Sequence, residues 1–254
     1  MSPSSSKLNQ LIKAARAGML IPETLISNDH KEISEFIEKL KNGNVIYKTF
    51  APSAWNLNNG LARLHTTNID LEDLPKIETL QLTAGIFQER IIKDFEVRVT
   101  YFGNFPVAVK LLSQKHELGK TDWRSIPSQE LEIEQFQLPQ DIHTRCLQIM
   151  DSLGIVFRCF DLIVKPSGEY YFLEVNPIGQ FLWIEQLCPD ILMLDIFSEF
   201  LICGRKDFFW KKKPTSVRMS EIESSQKYHS LLVNDEKFNA VTQQLVRKEL
   251  QVLE

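Results

Sequence analysis

Phe172-Leu173-Glu174-Val175-Asn176-Pro177, preceded by Cys159-Phe160-Asp161-Leu162-Ile163-Val164, is the stretch whose reading decides the fold. Pro166-Ser167-Gly168-Glu169 separates two apolar runs, so the region reads as a β-hairpin over 157–164 and 170–174. Side chains two apart in a strand point to the same face. Glu174 and Asn176 therefore project together, and Asp161 can lie across from them on the preceding strand. Carboxylates inside continuous apolar strands are costly unless paired or metal-bound. Three converging oxygen side chains suit magnesium, which takes hard oxygen ligands and keeps positions for water and phosphate. Asp161, Glu174 and Asn176 are thus the candidate metal ligands, with solvated edge residues as the plain alternative.

Upstream of this hairpin lies another. Phe95, Val97, Val99 and Tyr101 alternate with Glu96, Arg98 and Thr100, and Gly103-Asn104 turns the chain into a partner strand over 106–112. A helix is predicted over 142–153, between the hairpins. Near the start, Leu8, Leu11, Ile12 and Ala15 recur at helical spacing, with Gly18 as C-cap, predicting a helix over 7–17. Ile21 precedes Pro22 and begins an extended segment. Asp29 with Glu32 reads as a capping box ahead of an apolar face of Ile33, Phe36, Ile37 and Leu40. Asn42-Gly43-Asn44 turns into a strand over 45–48, and 86–91 is another strand. Residues 49–73, with Pro52, Asn56, Asn58, Asn59 and Gly60, read as a loop that folds over something, and 113–139 as polar and irregular. A helix over 190–203 ends at Gly204, a polar connector begins at Lys211, and Asn234 is read as the cap of a last polar helix. Helices, then hairpins, without regular βαβ alternation, make the fold class α+β.

The 254 residues fit one large domain or two lobes sharing a cleft, and an apolar share of 43% supplies a sizeable core. A formal net charge of -4 gives no general draw toward nucleic acid. Cys146, Cys159, Cys188 and Cys203 form no C-x-x-C pair and sit in apolar surroundings, so buried free thiols are expected. Residues 1–6 are polar and expected to be disordered; they lack the apolar core of a signal peptide. No run approaches about 18 apolar residues. A cytoplasmic protein with no membrane or nucleic-acid partner is expected. Neither G-x-x-x-x-G-K-[ST] nor G-x-G-x-x-G occurs, so the P-loop and Rossmann routes to nucleotide are not offered.

Phe-Leu-Glu-Val-Asn-Pro after an Asp on the previous strand resembles the metal hairpin of ATP-grasp ligases. The resemblance runs backward. Lys7-Leu8-Asn9-Gln10-Leu11 with Ala17-Gly18-Met19-Leu20-Ile21-Pro22-Glu23-Thr24 is similar to the opening of that domain, and Val45-Ile46-Tyr47-Lys48 to its lysine strand. Phe87-Gln88-Glu89-Arg90-Ile91 looks like the hinge that holds adenine, and Glu96-Val97-Arg98-Val99 like the next strand. The resemblance implies an ATP-grasp fold using ATP and Mg2+, with a first lobe over 7–89 and a second over 90–210 with the metal hairpin; the change to polar composition near Lys211 marks a C-terminal extension over 211–254. It implies that Lys7 and Lys48 reach phosphates, that Gln88, Glu89 and Ile91 read adenine through backbone groups, that Glu96 reaches ribose, and that Arg98 reaches phosphate. Taken alone, Lys7 and Lys48 also read as solvated surface charges, Gln88 and Glu89 as surface residues, and Arg98 as an outward-facing strand charge.

Asn176-Pro177-Ile178-Gly179-Gln180 followed by Trp183-Ile184-Glu185 is similar to the microviridin-type peptide ligases, or graspetide synthetases. So are Lys110-Leu111-Leu112-Ser113-Gln114 and Asp122-Trp123-Arg124. The likeness covers roughly 7–204. It implies that Arg124 grips a substrate carboxylate or its acyl phosphate by a bidentate fork, with Asp122 orienting Arg124. It further implies a ribosomal precursor peptide as partner, its leader held broadly by 102–139, and ω-ester or ω-amide cross-links from Asp/Glu to Ser/Thr/Lys. Family members usually carry a further N-terminal domain of about 80 to 100 residues. The stretch after Lys211 matches nothing in the family and is open to dimerisation (a homodimer) or to contact with a second subunit. Two other readings stay open: an ATP-grasp ligase that adds amino acids to a peptide or protein, and a truncated, non-catalytic partner that binds leader or nucleotide.

Overall fold

The computed structural model describes residues 6–41, 43–50, 54–57, 60–63, 66–176 and 179–235, with backbone alone for 54–57 and 60–63. The chain opens with α1 (Lys7–Arg16), β1 (Thr24–Ser27), α2 (His30–Leu40) and β2 (Val45–Lys48). A hairpin of β3 (Ala54–Leu57) and β4 (Gly60–Arg63), then β5 (Thr67–Asn68), α3 (Ile77–Leu80) and β6 (Gly85–Glu89), follow. Next come β7 (Phe95–Phe102), β8 (Phe105–Leu111), β9 (Ile133–Phe136), α4 (Gln140–Leu153), β10 (Phe157–Val164) and β11 (Tyr170–Asn176). Helices α5 (Trp183–Leu187), α6 (Met193–Cys203) and α7 (Met219–Glu223) complete the named elements.

Two antiparallel sheets organise the molecule. The smaller has the order β1-β6-β2-β5 and is backed by α2, whose Ile33, Phe36 and Ile37 pack on Val45 and Phe87. Asp29 caps α2 by accepting the Glu32 N–H at 3.0 Å, but Glu32 turns away and accepts from the Ser27 hydroxyl, so only half of the capping box forms. The larger sheet has the order β11-β10-β7-β8-β9. Val97, Val99, Tyr101, Phe160 and Leu162 on one face pack against α1 and α4. On the other face Phe102, Val107, Val109 and Cys159 pack under α5 and α6 through Phe181, Ile184 and Phe200. Further along that second face stand the polar residues Arg98 and Asp161.

Although α1 precedes the smaller sheet in sequence, it packs on the larger one. Gln10 sits on its buried face at 2% exposure. Its amide nitrogen donates to the Val175 carbonyl and its amide oxygen accepts the Val175 N–H, both at 2.9 Å. The side chain thus imitates a neighbouring strand at the edge of β11. Gln10→Ala leaves both Val175 groups buried and unpaired, so a loss of about 2–4 kcal/mol is expected in denaturant unfolding. An unchanged midpoint would show that α1 docks by apolar contact alone.

The polar C-terminal stretch is also built in. Buried Asp195 accepts the Val217 N–H (2.8 Å) and the Trp210 indole N–H (2.7 Å). Buried Glu185 accepts the N–H groups of Leu194 (2.9 Å) and Met219 (2.5 Å). Burial alone would raise the Asp195 carboxyl, but the bonds from Val217 and Trp210 outweigh it and hold it below its ordinary value. Gly103, at φ +60, turns β7 into β8 against the Lys206 carbonyl, which leaves no room for a Cβ.

Several expectations change. Residues 113–139 contain β9, which pairs with β8, and 49–73 contain β3, β4 and β5. Asn234 lies inside a helical stretch running from 226 to 235 and does not cap it, because the polar pattern conceals the start of the helix. Cys146 and Cys159 are buried, Cys188 is half-buried, and Cys203 is exposed on the last turn of α6. Residues 1–5, Pro52, Asn58, Asn59, Pro177, Ile178 and 236–254, where the rest of the expected last helix falls, lie outside the described residues. Among the described residues, no helix is long and apolar enough to cross a membrane.

Candidate active site

Strand pairing assembles the centre. Asp161 on β10 stands directly opposite Arg98 on β7 and opposite Glu174 on β11. The register shifts after Asp161, so that Leu162 faces Phe172 and Leu173 has no opposite partner. This bulge lets Phe172 enter the core while Glu174 stays beside Asp161 on the other face. Asn176 follows two residues on, across from Cys159, and its side-chain oxygen accepts the Gly179 N–H at 3.3 Å.

The Arg98 and Asp161 side chains are only 3% and 6% exposed. Arg98 Nη1 donates to both Asp161 oxygens at 2.7 and 2.8 Å, and Nη2 donates to the Gln180 carbonyl at 3.0 Å. Burial would lower the Arg98 guanidinium; the Asp161 carboxylate more than compensates and holds it above its ordinary value.

Arg124 arrives from the loop between β8 and β9. Asp122 opens a short turn there by accepting the Arg124 N–H at 3.1 Å, and it also takes the Thr66 N–H at 3.4 Å. The guanidinium lies beside the Trp123 ring, and Trp123 packs on Trp183 with centroids 5.3 Å apart. Arg124 Nη2 bridges the two carboxylates, donating to Asp161 Oδ2 at 3.1 Å and Glu174 Oε1 at 2.9 Å.

Two lysines face the same carboxylates. Lys7 Nζ donates to the Thr49 carbonyl at 3.1 Å, next to β2, and lies 4.0 Å from Glu174. Lys48 donates to the Gln88 side chain at 2.7 Å, and Gln88 donates to Thr24 at 2.9 Å. Burial pushes Lys48 down to about 8, with Glu174 opposing and Lys7 adding to the shift. Burial would raise Glu174, but Arg124, Lys7 and Lys48 hold it below its ordinary value. Asp122 is likewise lowered: burial opposes, and the Arg124 charge and N–H prevail. Lys7, Lys48, Arg98 and Arg124 thus stand against Asp122, Asp161 and Glu174, a surplus of one positive charge suited to a polyphosphate.

Seven of the sequence-derived candidates therefore share one network: Lys7, Lys48, Arg98, Asp122, Arg124, Asp161 and Glu174. Gln88 supports Lys48, and Ile91 is buried. Glu89 turns outward to accept the Glu23 N–H at 3.2 Å. Glu96 is buried against Lys93 at 2.6 Å and the Ser113 hydroxyl at 2.9 Å, and burial raises its carboxyl. Gln10 and Lys93 escaped sequence reading. Lys93 also donates to the Thr121 carbonyl at 3.3 Å, which ties the Asp122–Arg124 loop to β7. A polar residue on the apolar face of α1, and a lysine three before Glu96, were the available signals.

Among the described residues no group of three or more His, Cys, Asp or Glu is placed to hold a metal. The candidate set is two carboxylates and an amide oxygen, a hard donor set of the type magnesium accepts. That a guanidinium nitrogen sits near 3 Å from an oxygen of both carboxylates shows that the pair can hold one cation between them.

No family model and no curated protein matches the chain. Solved structures do. A RiPP-associated ATP-grasp ligase from Chryseobacterium gregarium, in complex with ADP and a leader and core peptide, is 29% identical with a TM-score of 0.72, covering 82% of this chain and 63% of that one. The macrocyclase MdnC from Microcystis aeruginosa, bound with precursor peptide MdnA, is 28% identical with a TM-score of 0.68, covering 80% and 61%. The macrocyclase MdnB from the same organism is 26% identical with a TM-score of 0.58, covering 73% and 55%. The fold is that of ATP-grasp ligases, and ribosomal-peptide ligases of the microviridin type are among its structural neighbours. This chain spans less than two thirds of the length of each: 63%, 61% and 55%.

Proposed function

We propose that this chain is an ATP- and Mg2+-dependent ligase that activates an Asp or Glu side chain of a ribosomal precursor peptide and closes a cross-link to Ser, Thr or Lys. One observation carries the reading: the Arg98–Asp161–Glu174 ladder, bridged by Arg124 and faced by Lys7 and Lys48, on an ATP-grasp fold. The ADP and peptide bound to the Chryseobacterium neighbour support a nucleotide and a peptide as ligands here. The proposed lobes are 7–89 and 90–210, with 211–254 as an extension whose first part is docked on the second lobe.

Lys7 and Lys48 are point charges for the phosphates, and Arg98 holds Asp161 in place while presenting charge to the same groups. The peptide carboxylate oxygen attacks the γ-phosphorus, and ADP departs. A hydroxyl or amine of the same peptide then attacks the acyl carbon, the bond from that carbon to the phosphate oxygen breaks, and the nucleophile's proton leaves on the departing phosphate. The peptide is lighter by one water per ring. Asp161, Glu174 and Asn176 would hold Mg2+, which when bound neutralises phosphate charge. Arg124 grips the carboxylate as a fork and Asp122 keeps it in the cleft. The nucleophile resides in the same chain as the acid, so orientation supplies much of the rate. Co-expression with a candidate precursor tests this: loss of one water per ring supports it. A product heavier by a residue would instead select an amino-acid-adding ligase. Bound precursor with unchanged mass would select a non-catalytic partner.

A pH dependence follows from Lys48. In the free chain it loses its proton near pH 8, while polyphosphate against it keeps the proton on. ADP affinity is therefore expected to be flat below pH 8 and to fall above it, by up to about tenfold per pH unit. Calorimetry in buffers of different ionisation heat should show proton uptake on binding at about pH 9. Lys48→Met should remove that uptake; uptake that persists would assign it elsewhere.

A further inference from the structure

We propose, resting on the reading above, that Arg124 is the resident cation of the Asp161–Glu174 pair, and that it yields this place when metal and nucleotide bind. Its guanidinium is then freed to take the peptide's carboxylate. The peptide acid site is thereby created by nucleotide loading, which makes binding ordered.

A single nitrogen, Arg124 Nη2, occupies the point where both carboxylates converge, 3.1 Å from Asp161 and 2.9 Å from Glu174. The same two oxygens are the ones a divalent ion between these strands would take. Two cations cannot share oxygens at that distance without strong repulsion. The two arginines differ in their freedom to leave. Arg98 is 3% exposed and bound to Asp161 through both oxygens, so it is fixed. Arg124 is 39% exposed, reaches Asp161 and Glu174 through Nη2 alone, and is rooted in a loop of short turns. Asp122, bonded to the Arg124 N–H and 3.5 Å from Nη1, keeps the freed side chain beside the site. While Nη2 is held by Asp161 and Glu174, the fork cannot close on a third carboxylate. Once released, it has the planar bidentate geometry that such an acid needs.

The test uses the full chain and Mn2+ as the probe, read by electron paramagnetic resonance without nucleotide. Arg124→Met is expected to tighten Mn2+ binding at least tenfold. Lys7→Met removes the same charge 4.0 Å from Glu174 without vacating the shared point, and is expected to tighten it less than threefold. Arg124→Gln provides a second variant, and thermal melts establish that each is folded. In parallel, the α-amide of N-acetylglutamate, whose single carboxylate is its side chain, should bind the wild type at least tenfold better with ADP and Mg2+ present. That gain should be absent in Arg124→Met. Equal Mn2+ affinities for the Arg124 and Lys7 variants, with metal-dependent ADP binding intact in the wild type, would overturn the inference and leave the proposed function standing. No metal-dependent ADP binding by the wild type would overturn the proposed function, and the inference with it.

Discussion

Glu174→Gln is expected to lower the rate of ATP-dependent water loss from a precursor peptide at least about a thousandfold, some 4 kcal/mol of transition-state stabilisation. The replacement keeps the shape of the side chain and its place opposite Asp161. It removes one of the two carboxylates that define the cation position and leaves Lys7 and Arg124 without the anion between them. Glu174 is about a quarter exposed, so the fold should hold, with a stability change within about 1 kcal/mol. Phosphate release and peptide mass, followed together, separate loss of chemistry from loss of folding. Turnover that survives the exchange would mean that the metal lies elsewhere.

Arg98→Met should act on the fold first. It deletes the partner of a carboxylate that is 6% exposed, and leaves Asp161 charged in the core with Arg124 as its remaining cation. Breaking a buried pair from one side costs about 3–5 kcal/mol, a drop of roughly 6–20 °C in Tm for a chain of this size. The double variant Arg98→Met with Asp161→Asn should recover at least half of that loss, since no unpaired charge remains. A double variant no better than the single one would show that Arg98 matters for its packing and its bond to the Gln180 carbonyl, not for Asp161.

The site was legible where the strand period alone decides it. Period-two spacing put Glu174 and Asn176 on one face, and the hairpin turn at Pro166-Ser167-Gly168-Glu169 brought the Asp161 strand alongside, but it is the bulge after Asp161, which no residue pattern announces, that sets Glu174 and not Leu173 opposite it. What stayed hidden depends on contacts far apart in the chain. The bond between Gln10 and Val175 spans 165 positions, and no local pattern announces it. Lys93 reads as a surface lysine until β7 and the loop at Thr121 close over it. Strand β9 was invisible because its Glu134 and Gln135 lie at an exposed sheet edge, and its pairing to β8 is what makes it a strand. Arg124 could be named from its neighbours Asp122 and Trp123, but nothing in the order of residues reveals that it lies across both carboxylates.

The backbone N–H groups of Val217 and Met219 and the indole N–H of Trp210, which close around Asp195 and Glu185, come late in the chain. Synthesis proceeds from the N-terminus, and these two carboxylates emerge from the ribosome before the groups that satisfy them. Burying either carboxylate before those donors arrive costs desolvation without the bonds that offset it, which disfavours docking α5 and α6 on the apolar face of β7 and β10. Phe102 and Phe157 are synthesised well before Phe181, Ile184 and Phe200, which cover them, so the nascent chain presents an open aromatic face over that interval, and this is when chaperones have the most to bind.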